Sequence, residues 1–327
     1  MPTKIDASDR APLSLDTFVA ALAKSHFDPA DEELYLDAAP LLAGLAANRD
    51  FLGTLLIKEL SGGAQPSERY KDYGAQEVTL HRGDGWVLRA TIWMAAGCSL
   101  MRHRGPHLFS YGVPHDYNFT LLTAGYFGPG CWSDHYLYDH DAVMGVPGEP
   151  VRLRFVERSR LGQGELRLYR RHRDVHNRHP PDSISVSLSL IQVVSGCAVD
   201  DQYSFDVERG AIVGQLATSA CEALLPLLSA LGGIEGAELL DEFAESHPCD
   251  RVRFGAVVAK AGAAAGLDSR AAVLERAATG ANPKVAALAR HRLAELETGR
   301  NWIEAAFKLP NMSPGDQDGR SDHGPGR

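Results

Sequence analysis

Between residues 76 and 195 no stretch keeps a helical period over a normal helix length, and this limits the middle third of the chain to β structure. In QEVTLHRGDGWVLRATIWM apolar residues alternate around Gly83-Asp84-Gly85, which marks a hairpin. Strand-like segments follow at 107–112, 117–126, 133–139, 151–158, 165–171 and 183–193, with Gly, Pro or Asp in nearly every gap. Short strands at this spacing predict a sandwich or a small barrel. SISVSLSLIQV is the clearest of them: serines alternate with apolar residues, so one face is buried and the other carries small hydroxyls.

Helices flank this region. Residues 14–60 have apolar residues at helical spacing, with Ser14 or Asp16 as a cap and Asp28-Pro29 as a second start signal. Gly62, Gly63 and Pro66 then break the pattern. After about residue 205 the chain turns helical again, beginning with GAIVGQLATSACEALLPLLSALGG. The stretches CDRVRFGAVVAKA and NPKVAALARHRLA share a polar start, a Val and Ala-rich spacing, and so resemble HEAT-type helical hairpins; a plain helical bundle stays open. The expected division is a helical segment and linker over 1–75, a β domain over 76–198, a helical domain over 199–309 and a disordered tail over 310–327. The fold class is α+β.

A net charge of −9 argues against a general nucleic-acid binder. The local basic strip Arg167, Arg170, Arg171, Arg173 and Arg178 reads as the solvated face of a strand and its turn. The five cysteines are spread widely with no CxxC, which suits reduced thiols. The N-terminus lacks a signal-peptide pattern and no apolar run could span a bilayer, so a cytoplasmic protein with no membrane partner is expected.

Nine of the 13 histidines lie between His81 and His179, a concentration suited to binding a metal or moving protons. Two stretches there resemble the motifs of the cupin superfamily. Gly112-Val-Pro-His115-Asp-Tyr117, followed by Gly125 and Gly128, is similar to the first motif, in which a His-x-His pair points both imidazoles into the barrel. Gly164-Glu165 followed by His176-Asn177 is similar to the second. The resemblance covers about residues 80–193 and implies a cupin-like β-barrel or sandwich. His115 and His176 carry over as metal ligands. Tyr117 replaces the second His, and Thr120, Leu121 and Leu122 stand where the family's acid is expected.

His135 and His107 are candidates to complete the ligand set, and Tyr117 could itself bind iron as a phenolate. His135 and Asp134 should point to opposite faces of their strand. In HRDVHNRHPP, Asp174 lies between His172 and His176 and could orient one imidazole; a polar turn is the alternative. No Walker loop or nucleophile elbow occurs. The expectation is an Fe(II)-dependent dioxygenase of the cupin type. Its substrate would be small and amino-acid-like or carboxylate-bearing, placed by Tyr117, Arg171 and Arg173. The alternative is a metal-free cupin-like module that binds a small molecule, or a protein partner through the C-terminal helices.

Overall fold

The computed structural model describes residues 2–5, 11–61, 76–193 and 200–307. The expected linker at Gly62, Gly63 and Pro66 and the expected tail over 310–327 lie outside these residues.

A short strand β1 (Thr3–Ile5) precedes helices α1 (Leu15–Lys24), α2 (Glu32–Ala47) and α3 (Phe51–Ser61). The Ser14 hydroxyl accepts the Thr17 N–H and the Asp31 carboxylate accepts the Glu33 N–H, so α1 and α2 each start on a side-chain cap. The β region follows as β2 (Glu77–Arg82), β3 (Trp86–Trp93), β4 (Leu121–Phe127), β5 (Trp132–Leu137), β6 (Arg154–Arg160), β7 (Leu166–Tyr169), β8 (Asp174–Arg178) and β9 (Ser185–Gln192). Two differences from the sequence pattern stand out. The apolar run at 107–112 is part of no strand: a six-residue helix α4 (Ser99–Arg104) precedes it and a 3-10 turn at Pro106–Phe109 takes its first residues, because Gly105-Pro106 interrupts the extended chain. AIVGQ, read as the start of a helix, is instead β11 (Ala211–Gln215), paired with β10 (Tyr203–Asp206) around Gly210 at φ 63°.

The strands form three ladders among the described residues, of six strands (β1-β7-β4-β9-β3-β2), three (β6-β5-β8) and two (β10-β11), with no closed barrel among them. All pairs in the six-stranded sheet are antiparallel. Central β9 shows how that sheet divides its faces. Leu188 and Leu190 are fully buried and pack with Phe18, Tyr35 and Leu42 of α1 and α2. Each such burial contributes about 1.5–3 kcal/mol. Ser185, Ser187 and Ser189 are buried too, but on the opposite face, where they line an interior cavity with Ser133 and Arg178 from the three-stranded ladder. The hydroxyl face therefore meets a cavity rather than bulk solvent. Gly130 (φ 81°) lets the chain turn close to its neighbour there, since an added Cβ would stand 1.8 Å from the Leu161 carbonyl oxygen.

Helices α5 (Ala220–Leu231), α6 (Gly233–Ser246), α7 (Asp250–Ala263), α8 (Gly266–Ala278) and α9 (Pro283–Phe307) stack beside their sequence neighbours. The two similar stretches fall on α7 and α9, which touch each other. Asp201 ties this stack to the β region: it accepts the Tyr203 hydroxyl at 2.7 Å and pairs with Lys284 of α9 and, at 3.3 Å, with Arg251 of α7. Removing this carboxylate takes the ion-pair partner from Lys284 and leaves Arg251 with Glu222 at 3.6 Å. Asp201→Ala should cost on the order of 3 kcal/mol in urea unfolding and speed limited proteolysis between β11 and α5; an unchanged urea midpoint would show that the linkage does not hold the two parts together.

Candidate functional site

The site is assembled by a short irregular segment, 113–117, laid against β8. His115 and His176 exchange backbone bonds in both directions, at 3.1 and 3.0 Å. The same segment pairs on its other side with β10, where the Phe205 N–H donates to the Pro114 carbonyl at 2.9 Å. Side chains two residues apart on an extended chain share a face, so His115 and Tyr117 project together, as do His176 and Arg178. Asp116, between them, points the other way and is buried, accepting the Tyr203 N–H at 2.7 Å and the Tyr138 hydroxyl. Burial raises its carboxyl to about 6, although those two hydrogen bonds favour the anion.

The geometry brings three donors together. His115 Nδ1 lies 2.7 Å from the Val113 carbonyl oxygen, which can only accept. That ring nitrogen therefore carries the proton, and Nε2 presents a lone pair. His176 Nε2 is 3.2 Å from His115 Nε2 and 3.3 Å from the Tyr117 Oη. One proton cannot satisfy this set. If His176 carries it on Nε2, its buried Nδ1 becomes an acceptor with no donor among the described residues. If Nε2 is bare, two imidazole lone pairs face each other at 3.2 Å. A cation among the three donors removes the clash of lone pairs, with the proton of His176 then on Nδ1. Donors about 2.1 Å from one ion stand about 3.0 Å apart at a right angle and about 3.4 Å apart at the tetrahedral angle. The two observed separations fall between these values, so the residues present fit a divalent transition metal. The third donor is a phenol: among the described residues no group of three or more His, Cys, Asp or Glu stands where it could hold a metal ion.

The surroundings keep the imidazoles neutral. Burial lowers His115 and His135 to about 4, and lowers His176 well below the ordinary histidine value, with the Arg178 cation adding to the effect at His115 and His176. Burial also pushes Tyr169 up to about 12 and Cys131 up to about 11. Arg178 is half-buried and lines the cavity. Its Nη2 donates to the Tyr117 Oη at 3.2 Å, and its guanidinium lies 4.2 Å from the centroid of the Trp93 ring. The cavity beside these groups holds about 300 Å³ and is lined by His115, Tyr117, Trp93, Tyr169, Arg178 and the serine face of β9, among others. That volume suits a small molecule.

Of the other residues expected at the site, His135 is the cross-strand partner of His176, but its ring leans on Tyr169 and its Nδ1 has no partner among the described residues. Asp134 is also buried, and binds Arg158 and His179. His107 lies in the 3-10 turn at Pro106–Phe109, and its side chain is outside the described residues. Arg171 pairs with Asp200 at 2.7 Å, and Arg173 is exposed; neither lines the cavity. Asp174 is bound by Arg170 at 2.7 and 2.9 Å. The basic strip is not a solvated face, because Arg167 is buried against Glu157, Arg170 is taken by Asp174 and Arg178 stacks on the Trp93 ring. Arg178 was concealed within that strip. Its position two residues after His176, matching the His115-x-Tyr117 spacing, is the signal that places it on the ligand face.

No family model and no curated protein matches the chain. Similar solved structures include a hydroquinone 1,2-dioxygenase from Sphingomonas sp. TTNP3 with 4-hydroxybenzoate bound, at 11% identity over 39% of this chain and 72% of that chain, with a TM-score of 0.25. A DMSP lyase is similar at 10% identity over 63% and 86%, with a TM-score of 0.24. A prolyl 4-hydroxylase from Phytophthora capsici is similar at 11% identity over 86% and 84%, with a TM-score of 0.20. At these values none of them fixes the fold or activity of this chain. No helix among the described residues is long and apolar enough to cross a membrane.

The neutral imidazoles give the metal-free protein a defined acid sensitivity. His115 and His135 bind protons more weakly folded than unfolded, so their contribution is present above the unfolded value near 6.5 and is lost as pH falls toward about 4. Chelator-treated protein should lose on the order of 3 kcal/mol between pH 7 and pH 5, read from urea midpoints. His135→Leu should flatten that slope; an identical slope in the variant would remove His135 from the account.

Proposed function

We propose that the chain is a metal-dependent enzyme of cupin type acting on a small molecule in the cavity, and that it is an Fe(II) oxygenase. The observation that carries this reading is the convergence of His115 Nε2, His176 Nε2 and Tyr117 Oη at 3.2 and 3.3 Å beside a cavity of about 300 Å³. Two nitrogens and one oxygen on one side of an ion leave its other positions to exogenous ligands, as in the two-histidine-one-carboxylate sites of non-haem Fe(II) oxygenases. When bound, such an ion supplies a Lewis-acidic, redox-active centre at which dioxygen and substrate can be brought together.

The chain's own residues then have separable tasks. His115 and His176 hold the ion, and the Val113 carbonyl fixes the His115 ring so that its free nitrogen faces the site. Tyr117 supplies the third donor, and the hydrogen bond from Arg178 Nη2 to its oxygen holds the phenol in place. Tyr169 and Trp93 form apolar walls that limit water, and the hydroxyls of β9 give a polar wall opposite. The substrate class suited to this cavity is a small carboxylate-bearing molecule.

A metal-free binding module is the second reading, favoured by the absence among the described residues of a third His or an acid at the donor set. Metal analysis separates the two. Purified protein should carry close to one equivalent of a divalent transition metal, and His115→Ala and His176→Ala should each lower its affinity at least tenfold. Tyr117→Phe should weaken it less and abolish oxygen uptake with substrate. Retention of full metal content by both histidine variants would leave only the binding module. Turnover without oxygen uptake would replace the oxygenase with a lyase or isomerase at the same centre.

A further inference from the structure

We infer that Arg178 is the specificity determinant of the cavity, and that the molecule bound there presents a carboxylate to its guanidinium. The inference rests on the reading of the cavity as a small-molecule site, and it places the anion anchor at a residue outside the pair Arg171 and Arg173.

Five arginines of this β region have a carboxylate partner. Arg89 pairs with Glu77, Arg158 with Asp134, Arg167 with Glu157, Arg170 with Asp174 and Arg171 with Asp200. Arg178 is half-buried, and it makes no ion pair with a carboxylate among the described residues; its side-chain contacts are the Tyr117 hydroxyl and the Trp93 ring. A partly desolvated cation without a counter-charge is costly, and the five arginines named above each have a carboxylate. The remaining donors of a guanidinium, held by one phenol and stacked on one indole, form a planar fork that matches a carboxylate.

Two further features belong to the same recess. Trp93, which lies under the guanidinium, donates its Nε1–H to the Ser187 Oγ at 3.0 Å. The Ser187 hydroxyl has no acceptor among the described residues, so its own proton is available to a ligand oxygen in the cavity. Glu77 and Arg89, which also line the cavity, pair with each other, which leaves Arg178 as the lining cation that meets no carboxylate among the described residues. Such a recess selects a monoanion small enough for about 300 Å³ and disfavours its neutral isostere.

The test is calorimetric and is run on chelator-treated full-length protein, so that it does not depend on the metal. Propionate and benzoate are each compared with the matching amide, with inorganic phosphate as a third probe. The wild type should bind at least one carboxylate ten or more times more tightly than its amide. Arg178→Gln should abolish that preference while leaving amide binding within about twofold, and Arg178→Lys should restore part of it. His176→Ala should lose metal yet keep the carboxylate preference, which separates this inference from the metal reading. Equal binding of carboxylate and amide by the wild type overturns it, as does tighter binding of phosphate. An Arg178→Gln variant that keeps the preference and instead loses metal affinity also overturns it, and assigns Arg178 to supporting Tyr117. Thermal melts accompany each variant, and a preference retained by a correctly folded Arg178→Gln protein counts against the inference.

Discussion

The reciprocal backbone pairing of His115 with His176 is the constraint on which the site depends. It joins a segment that belongs to none of the three ladders to the inner edge strand β8, with bonds of 3.1 and 3.0 Å. Because each partner both donates and accepts, the register cannot slip by one residue without losing both bonds and turning His115 and Tyr117 to the far side. The Phe205 to Pro114 bond and the Asp116 carboxylate hold the segment from behind. Side-chain convergence at the donor set is thus a consequence of backbone pairing, and needs no special side-chain strain.

The same pairing accounts for what could be read from the sequence. Alternation exposed β2, β3 and β9, because each has a full apolar face against the helical layer or the opposite sheet. Histidine density and the i, i+2 spacing exposed His115, Tyr117 and His176, because those features survive in one dimension. The remaining parts depend on distant partners. Arg167, Arg170 and Arg178 look alike in the sequence, yet one meets Glu157, one meets Asp174 and one meets an indole. The strand at Ala211–Gln215 sits beside a long apolar helix, and only its pairing with Tyr203–Asp206 distinguishes it. Asp174 lies between two histidines in the chain but is bound by an arginine four residues earlier. Local pattern determines which faces are apolar; it does not determine which charge meets which.

Charge balance then connects the fold to the chemistry. The family pattern to which the chain is similar places an acid among the metal ligands, whereas here Thr120, Leu121 and Leu122 occupy that stretch. Leu121 and Leu122 serve β4, which packs against β9 and the helical layer, and a carboxylate at Leu122 would have to be buried in the main core. The missing negative charge therefore has no protein source at that position. Arg178 lines the cavity beside the imidazole of His115 and the phenol of Tyr117, and an anion that enters would give it the counter-charge that Arg167 finds in Glu157. The serines of β9 face the cavity, while the helix-facing side of the same sheet is occupied by packed leucines. Substitutions on the cavity face should then change what is bound more than whether the chain folds.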